Sequence, residues 1–238
     1  AAVCDLPRDG AATFLHATPA PEHDRARFAQ ALAEELMLFG VDGWVDAGLA
    51  DDWAKDAAKK GAPLFGLSAP TSGETTAFGA AATVRAALGA VGPRAGDEPL
   101  VVVVQGLGRV GGPLAKILAA EGRRLVVSDR DYPRIDALLG SLGPTERKNV
   151  GVVAPYQVLE ILSKPAACDV FCPAAEGGVL TRESLGALKC RAIAGPATGT
   201  FDAASRADEE SFARALYERN LIYAPDWLAG VGGLVRAW

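Results

Sequence analysis

The residues of this 238-residue chain whose types and spacing could do chemistry are three glycines and one acid, Gly106, Gly108, Gly111 and Asp129. The glycines stand as Gly106-Leu107-Gly108-Arg109-Val110-Gly111. That spacing is weak evidence by itself, because 27 glycines will produce chance matches. Its surroundings make it specific. The aliphatic run Leu100–Gln105 precedes it, and Gly111–Glu121 follows with Leu114, Ile117 and Leu118 at helical spacing. About twenty residues on, a second apolar run, Leu125–Ser128, ends in Asp129. Strand, glycine turn, helix, strand and acid form the arrangement that holds a dinucleotide. Gly106 permits the tight turn, and Gly108 has no side chain to keep a pyrophosphate off the backbone. Gly111 lets the helix pack closely on the strand, so that its N-terminal dipole faces the phosphates. Asp129 is placed to accept hydrogen bonds from the adenosine ribose hydroxyls, and its charge repels a 2′-phosphate. The expected cofactor is therefore NAD rather than NADP. Arg109 and Val110 in the turn and Arg130 beside the acid complete the cofactor-side candidates, and the two arginines work against the preference for NAD.

The elements that position these residues read as an α/β domain, a Rossmann-type doubly wound parallel sheet, with a reduced N-terminal α/β segment before it. Apolar strand patterns at Leu100–Gln105, Leu125–Ser128, Val150–Ala154, Asp169–Cys172, Ala192–Ala194 and Leu221–Tyr223 alternate with helical ones. The helices are expected at Gly111–Glu121, Tyr132–Leu139, Tyr156–Leu162, Thr181–Leu188 and Ala203–Arg219, with Thr181 and Ser184 as plausible caps. Upstream, Arg25–Phe39 and Asp51–Lys60 read as helices, Gly61–Thr75 as turn-rich, and Thr76–Leu88 as a helix of small residues. These patterns place residues 1–75 in a first, reduced domain and residues 76–238 in the dinucleotide-binding domain. Lys55, Lys59 and Lys60 read as a solvated face of the Asp51–Lys60 helix.

Bulk properties exclude several other functions. A net charge of −5 argues against a nucleic-acid surface or an anionic membrane as partner. No segment has the pattern of a signal peptide or a membrane span, and the expected location is the cytoplasm. Cys4, Cys168, Cys172 and Cys190 lack metal-ligand spacing, and the chain has two histidines, His16 and His23, so no metal site is expected. Cys168 and Cys172, four apart on one strand pattern, are expected to face the same way.

The stretches Cys168-Asp-Val-Phe-Cys-Pro-Ala-Ala-Glu-Gly-Gly178, Ala192-Ile-Ala-Gly-Pro-Ala-Thr-Gly-Thr-Phe201 and Ile222-Tyr-Ala-Pro-Asp-Trp-Leu-Ala-Gly-Val-Gly-Gly233 carry a resemblance. With the glycine turn and the Val-Val-Ser-Asp129 run, they resemble the glutamate/leucine/phenylalanine/valine dehydrogenases, nearest the leucine and phenylalanine branch. The resemblance implies two domains around a cleft and NAD-linked oxidative deamination of an L-amino acid, a small-molecule substrate; the family assembles partly through N-terminal segments that this sequence lacks, so a homodimer is the largest assembly expected. It further implies that Pro173 and Ala174 lie beside the cofactor. Thr76, Thr198 and Asp226 then stand on the substrate and nicotinamide side, and Asp46 is the candidate catalytic acid.

Departures from the family pattern fall at positions that carry its chemistry. Aligned backwards from Asp46, the catalytic lysine falls on Ala12, and the carboxylate-binding lysine falls before Ala1. On this alignment the chain is shortened at both ends. The loop in which the family has asparagines reads Ala-Gly-Pro-Ala-Thr198-Gly199, and the family's later asparagine corresponds to Gly230. Glu176 adds a charge where the family has an apolar residue. Loss of a general base costs about 10²–10⁴ in rate, so the expected activity is NAD-linked oxidation or reduction of an altered substrate, an imine, ketone or amino-acid derivative in a specialised pathway. A catalytically silent NAD-binding relative and an ordinary L-amino-acid dehydrogenase are the alternatives.

Overall fold

The computed structural model describes residues 72–203 and 206–232, together with scattered positions between 27 and 65. The chain divides into two compact units, one of Ala1–Ser72 with Leu234–Trp238 and the other of Gly73–Gly233. In the first unit two short strands, β1 (Gly43–Trp44) and β2 (Leu64–Phe65), pair in parallel with Gly43 opposite Leu64. The segment Gly61–Thr75, expected to be turns, thus contains a strand and the start of a helix. Strands of two residues have no periodicity to detect. Lys59 and Lys60 are exposed, as a solvated face requires, and the Lys60 ammonium donates to Gln30 Oε1 at 3.4 Å.

The second unit opens with α1 (Ser72–Val91), longer at both ends than its sequence pattern. Alanine favours the helix, and Ala77, Ala80, Ala81, Val84, Ala87, Leu88 and Val91 form a buried stripe at helical spacing. Gly92, at φ +67°, and then Pro93 end it, because glycine accepts the left-handed conformation and proline cannot continue the helix.

Six parallel strands follow: β3 (Val101–Gln105), β4 (Arg124–Ser128), β5 (Val150–Val152), β6 (Val170–Pro173), β7 (Ala192–Ala194) and β8 (Ile222–Ala224). They lie in the order β5-β4-β3-β6-β7-β8. The chain winds outward from β3 in one direction and from β6 in the other, so the switch point lies between β3 and β6. Ligands of doubly wound sheets bind outside the carboxyl ends of the strands at that point. The helices α2 (Gly111–Ala120), α3 (Tyr132–Gly140), α4 (Pro144–Arg147), α5 (Val158–Leu162), α6 (Arg182–Ala187), α7 (Arg206–Glu218) and α8 (Asp226–Gly230) complete the unit. One core joins Val102 and Val104 of β3 to α1, α2 and α3, and the other joins Val103 to Val158, Leu185 and Phe212. Alternate residues of a strand buried on both faces must divide in this way.

Cys168 and Cys172 do not face the same way. Cys172 belongs to the core that contains α1 and α2, and Cys168 to the opposite one. β6 begins at Val170, so the strand's alternation does not reach Cys168. The thiols of Cys168, Cys172 and Cys190 are buried, and burial pushes those of Cys172 and Cys190 up to about 12. Among the described residues no cluster of His, Cys, Asp or Glu could hold a metal ion, and no helix is long and apolar enough to cross a membrane.

The amino edge of the sheet is closed by charge. Asp169, 1% exposed, accepts the Val101 N–H at 2.7 Å, Arg94 Nη2 at 2.7 Å and Arg191 Nη1 at 3.5 Å. A buried carboxylate is tolerable only with such partners. Here they tie the starts of β3 and β6 to the segment after α1.

Candidate dinucleotide site

The three glycines of the turn differ in what they permit. Gly106 takes φ +98°, and its N–H donates to the Ser128 carbonyl at 2.7 Å, which fastens the turn to the end of β4. A side chain on Gly111 would fall on the Gly106 carbonyl, so helix and strand meet there at backbone distance. Gly108 is different, because an added Cβ would meet only the Arg134 guanidinium, at 3.5 Å. The fold thus requires glycine at Gly106 and Gly111, whereas at Gly108 it leaves room. A bare backbone beside open space, at the start of α2, fits the approach of a phosphate group.

Asp129 follows β4 directly and is 9% exposed. Its Oδ2 accepts the Leu107 N–H at 2.5 Å and its Oδ1 accepts the Asp131 N–H at 2.8 Å. The acid therefore staples the glycine turn to the β4–α3 connection. A carboxylate has about four acceptor positions, so two remain for ribose hydroxyls. Arg134, which sequence reasoning missed, reaches from α3 to the same place. Its Nε lies 3.1 Å from Asp131 and its Nη1 3.9 Å from Asp129. Only its return to the turn from the facing side of α3 could have marked it, and periodicity there records apolar residues. Arg130 and Glu176 pair at 3.3 Å across the turn.

The loop after β6 lies against the turn. The Ala174 N–H donates to the Gln105 carbonyl at 2.8 Å, and a Cβ on Gly106 would come within 2.8 Å of Ala175. Pro173 in turn meets the loop after β7, whose Ala197 N–H donates to the Pro173 carbonyl at 3.0 Å. Gly195 abuts Pro173 and Gly177 abuts Thr198 so closely that neither glycine has room for a side chain. Thr198 itself is exposed. Asp226 Oδ2 accepts the Gly199 N–H at 2.5 Å, joining this loop to the start of α8. Tyr223 stands nearby, and its hydroxyl is pushed up first by burial and then by the Asp226 charge. The N-terminus of α1 closes the ring: a Cβ on Gly73 would come within 2.5 Å of the Arg109 carbonyl, and one on Gly232 within 2.5 Å of that of Thr75. Thr76, half-buried, follows Thr75 in the same helix.

A relay of contacts therefore runs from the glycine turn to Asp129, through Ala174 and Pro173 to the loop of Thr198 and on to Asp226, and through Arg109 to the start of α1. Asp46, Ala12, Lys55, His16 and His23 lie outside the described residues.

No protein-family model matches the chain. Against curated proteins, it is 31% identical over 177 residues to a leucine dehydrogenase of Thermoactinomyces intermedius, covering 73% of this chain and 43% of that protein. In sequence the chain is thus similar to amino-acid dehydrogenases over part of their length. An L-tryptophan dehydrogenase of Nostoc punctiforme is 25% identical across 100% of this chain and 64% of its own length. Its crystal structure superposes with a TM-score of 0.66 at 24% identity, over 89% of this chain and 57% of that one. A hetero-hexameric glutamate dehydrogenase of Thermus thermophilus gives 0.62 at 20% identity, over 92% and 56%. These superpositions bear on the fold. The chain spans less than half the length of the leucine dehydrogenases it matches. Thr198, Gly199 and Gly230 fall in or beside the loops that Pro173 and Asp226 fasten together.

Proposed function

We propose that this chain binds NAD and acts as an NAD-dependent oxidoreductase on an imine, ketone or amino-acid-derived substrate. Its substrate cleft would differ from that of leucine and phenylalanine dehydrogenases. The observation that carries the reading is the glycine turn at the switch point, where Gly108 leaves its backbone open and Asp129 is stapled to the turn by the Leu107 N–H. Bound there, the nicotinamide would supply or accept the hydride. The protein's part is to hold the phosphates at the start of α2, orient the ribose through Asp129, and fix the loops around Thr198 with Asp226. Thr76 and Thr198 are short neutral groups, suited to a substrate that carries less charge than an amino acid.

Calorimetric titration with NAD and NADP tests the cofactor, and Gly108→Ala is the informative variant. Its Cβ has room in the fold, so thermal stability should stay within a few degrees while NAD affinity falls at least about tenfold. An absorbance screen at the reduced-nicotinamide band, with amino acids, keto acids and cyclic imines, then tests turnover. NAD binding without turnover would favour a catalytically silent NAD-binding relative, and efficient turnover of leucine or phenylalanine would refute the altered cleft. Absence of binding to either nucleotide would remove the cofactor assignment.

A further inference from the structure

The ion pair between Arg130 and Glu176 occupies a position that the cofactor motif does not explain. Arg130 follows the acid at the end of β4, and Glu176 lies in the loop after β6, while β3 and its glycine turn lie between those two strands. A contact of 3.3 Å between their side chains therefore runs across the carboxyl edge of β3, over the crevice where a dinucleotide would lie. Both side chains are largely exposed, 78% and 82%, so the pair is available to a ligand rather than sealed in the core. The second arginine at this end, Arg134, is also occupied, by Asp131 at 3.1 Å. The cluster sets three carboxylates, Asp129, Asp131 and Glu176, against two guanidiniums.

A dinucleotide with a free ribose 2′-hydroxyl needs only acceptors at this end. One with a 2′-phosphate needs a cation, and the residue beside the ribose acid is where such an arginine belongs. Arg130 stands there, but its guanidinium is directed across the crevice to Glu176. We propose that Glu176 is a cofactor-discriminating residue, which holds Arg130 away from the ribose 2′ edge and so favours NAD over NADP. The inference rests on the cofactor reading above. It moves part of the discrimination from Asp129, where the motif puts it, to a loop on the other side of the glycine turn.

Calorimetric dissociation constants for NAD and NADP on the full chain, its Glu176→Gln and Arg130→Gln variants, and the double variant test this. An exposed ion pair is worth up to about a fivefold change in equilibrium constant. Glu176→Gln should tighten NADP by about that factor and leave NAD within about twofold. Arg130→Gln alone should change NADP binding little, because Arg130 is already engaged, yet in the Glu176→Gln background it should abolish the gain. That non-additivity separates release of Arg130 from a general change of potential, which would act equally in both backgrounds. An unmoved NADP-to-NAD ratio in Glu176→Gln, or an additive cycle, overturns the inference while leaving NAD binding standing. Failure of the unsubstituted chain to bind either nucleotide overturns both. Melting temperatures of all four proteins exclude misfolding as the cause.

Discussion

Truncation of Asp169 to alanine should be among the most damaging single changes in this protein while sparing the proposed cofactor site. The carboxylate satisfies the Val101 N–H at 2.7 Å and two guanidiniums, Arg94 at 2.7 Å and Arg191 at 3.5 Å, from a position 1% exposed. Removing one member of a buried ion pair costs about 3–5 kcal/mol, because the partner charge is left uncompensated. The orphaned Val101 amide alone would account for about 1–3 kcal/mol. These figures overlap rather than add, and Arg94 keeps the Ala166 carbonyl at 2.6 Å and Glu98 at 3.8 Å. The expected loss is about 3–4 kcal/mol, or roughly 10 °C in melting temperature for a unit of this size. Asp169→Asn leaves an oxygen for the Val101 amide and should cost about 2 kcal/mol. Urea unfolding followed by circular dichroism measures both. Because Asp169 lies at the amino edge of the sheet, NAD affinity should stay within about twofold. A loss below about 1 kcal/mol for the alanine variant, or equal losses for alanine and asparagine, would refute this account of the cluster.

Two further outcomes follow from particular groups. The thiols of Cys172 and Cys190 lie at about 12 in the fold against an ordinary value of 9.0, so the unfolded chain loses their protons first as pH rises. Their contribution is complete below about pH 9 and should fall above it, by up to about 1.4 kcal/mol per pH unit for each thiol. Urea midpoints that match at about pH 8 and about pH 10.5 would contradict that. Thr181 caps α6, its hydroxyl accepting the Ser184 N–H at 3.2 Å while the Ser184 hydroxyl accepts the Thr181 N–H at 2.8 Å. Thr181→Ala should cost about 1 kcal/mol, and an unchanged unfolding midpoint would show the cap to be idle.

What could be read in the sequence follows what leaves a local pattern. β3 is aliphatic from Val101 to Val104, and the expected Leu100–Gln105 differs from the observed strand by a single residue. The Thr181 cap and the glycine turn were likewise visible, because backbone geometry restricts the residue at one position. The fold class of the second unit followed from these elements. Contacts between distant segments were not legible. Asp169 reads as the first residue of a strand, with nothing to mark its role until Arg94, 75 positions away, is brought to it. Arg134 is an ordinary surface residue by sequence; Glu176 is marked there only as an added charge, and the order of the strands is what puts it opposite Arg130. The facing of Cys168 depended on the residue at which β6 begins, and boundaries are what periodicity fixes least well.

The two edges of the sheet are held by different means, which bears on the altered cleft proposed above. At the amino edge, side chains do the joining, so Asp169 cannot be replaced without taking the carboxylate from both Arg94 and Arg191. At the carboxyl edge, backbone meets backbone. Gly73 lies on Arg109, Gly177 on Thr198, Gly195 on Pro173 and Gly232 on Thr75, with Asp226 holding the Gly199 amide. A frame fixed through glycines and main-chain hydrogen bonds asks little of the side chains that line it. Thr198 is exposed and Gly230 has open space around its missing Cβ, so neither position is committed to packing. Residues there can be exchanged without moving the glycine turn or Asp129. On the proposed function, cofactor geometry would therefore be recorded in one set of residues and substrate choice in another, and only the first is constrained by the fold.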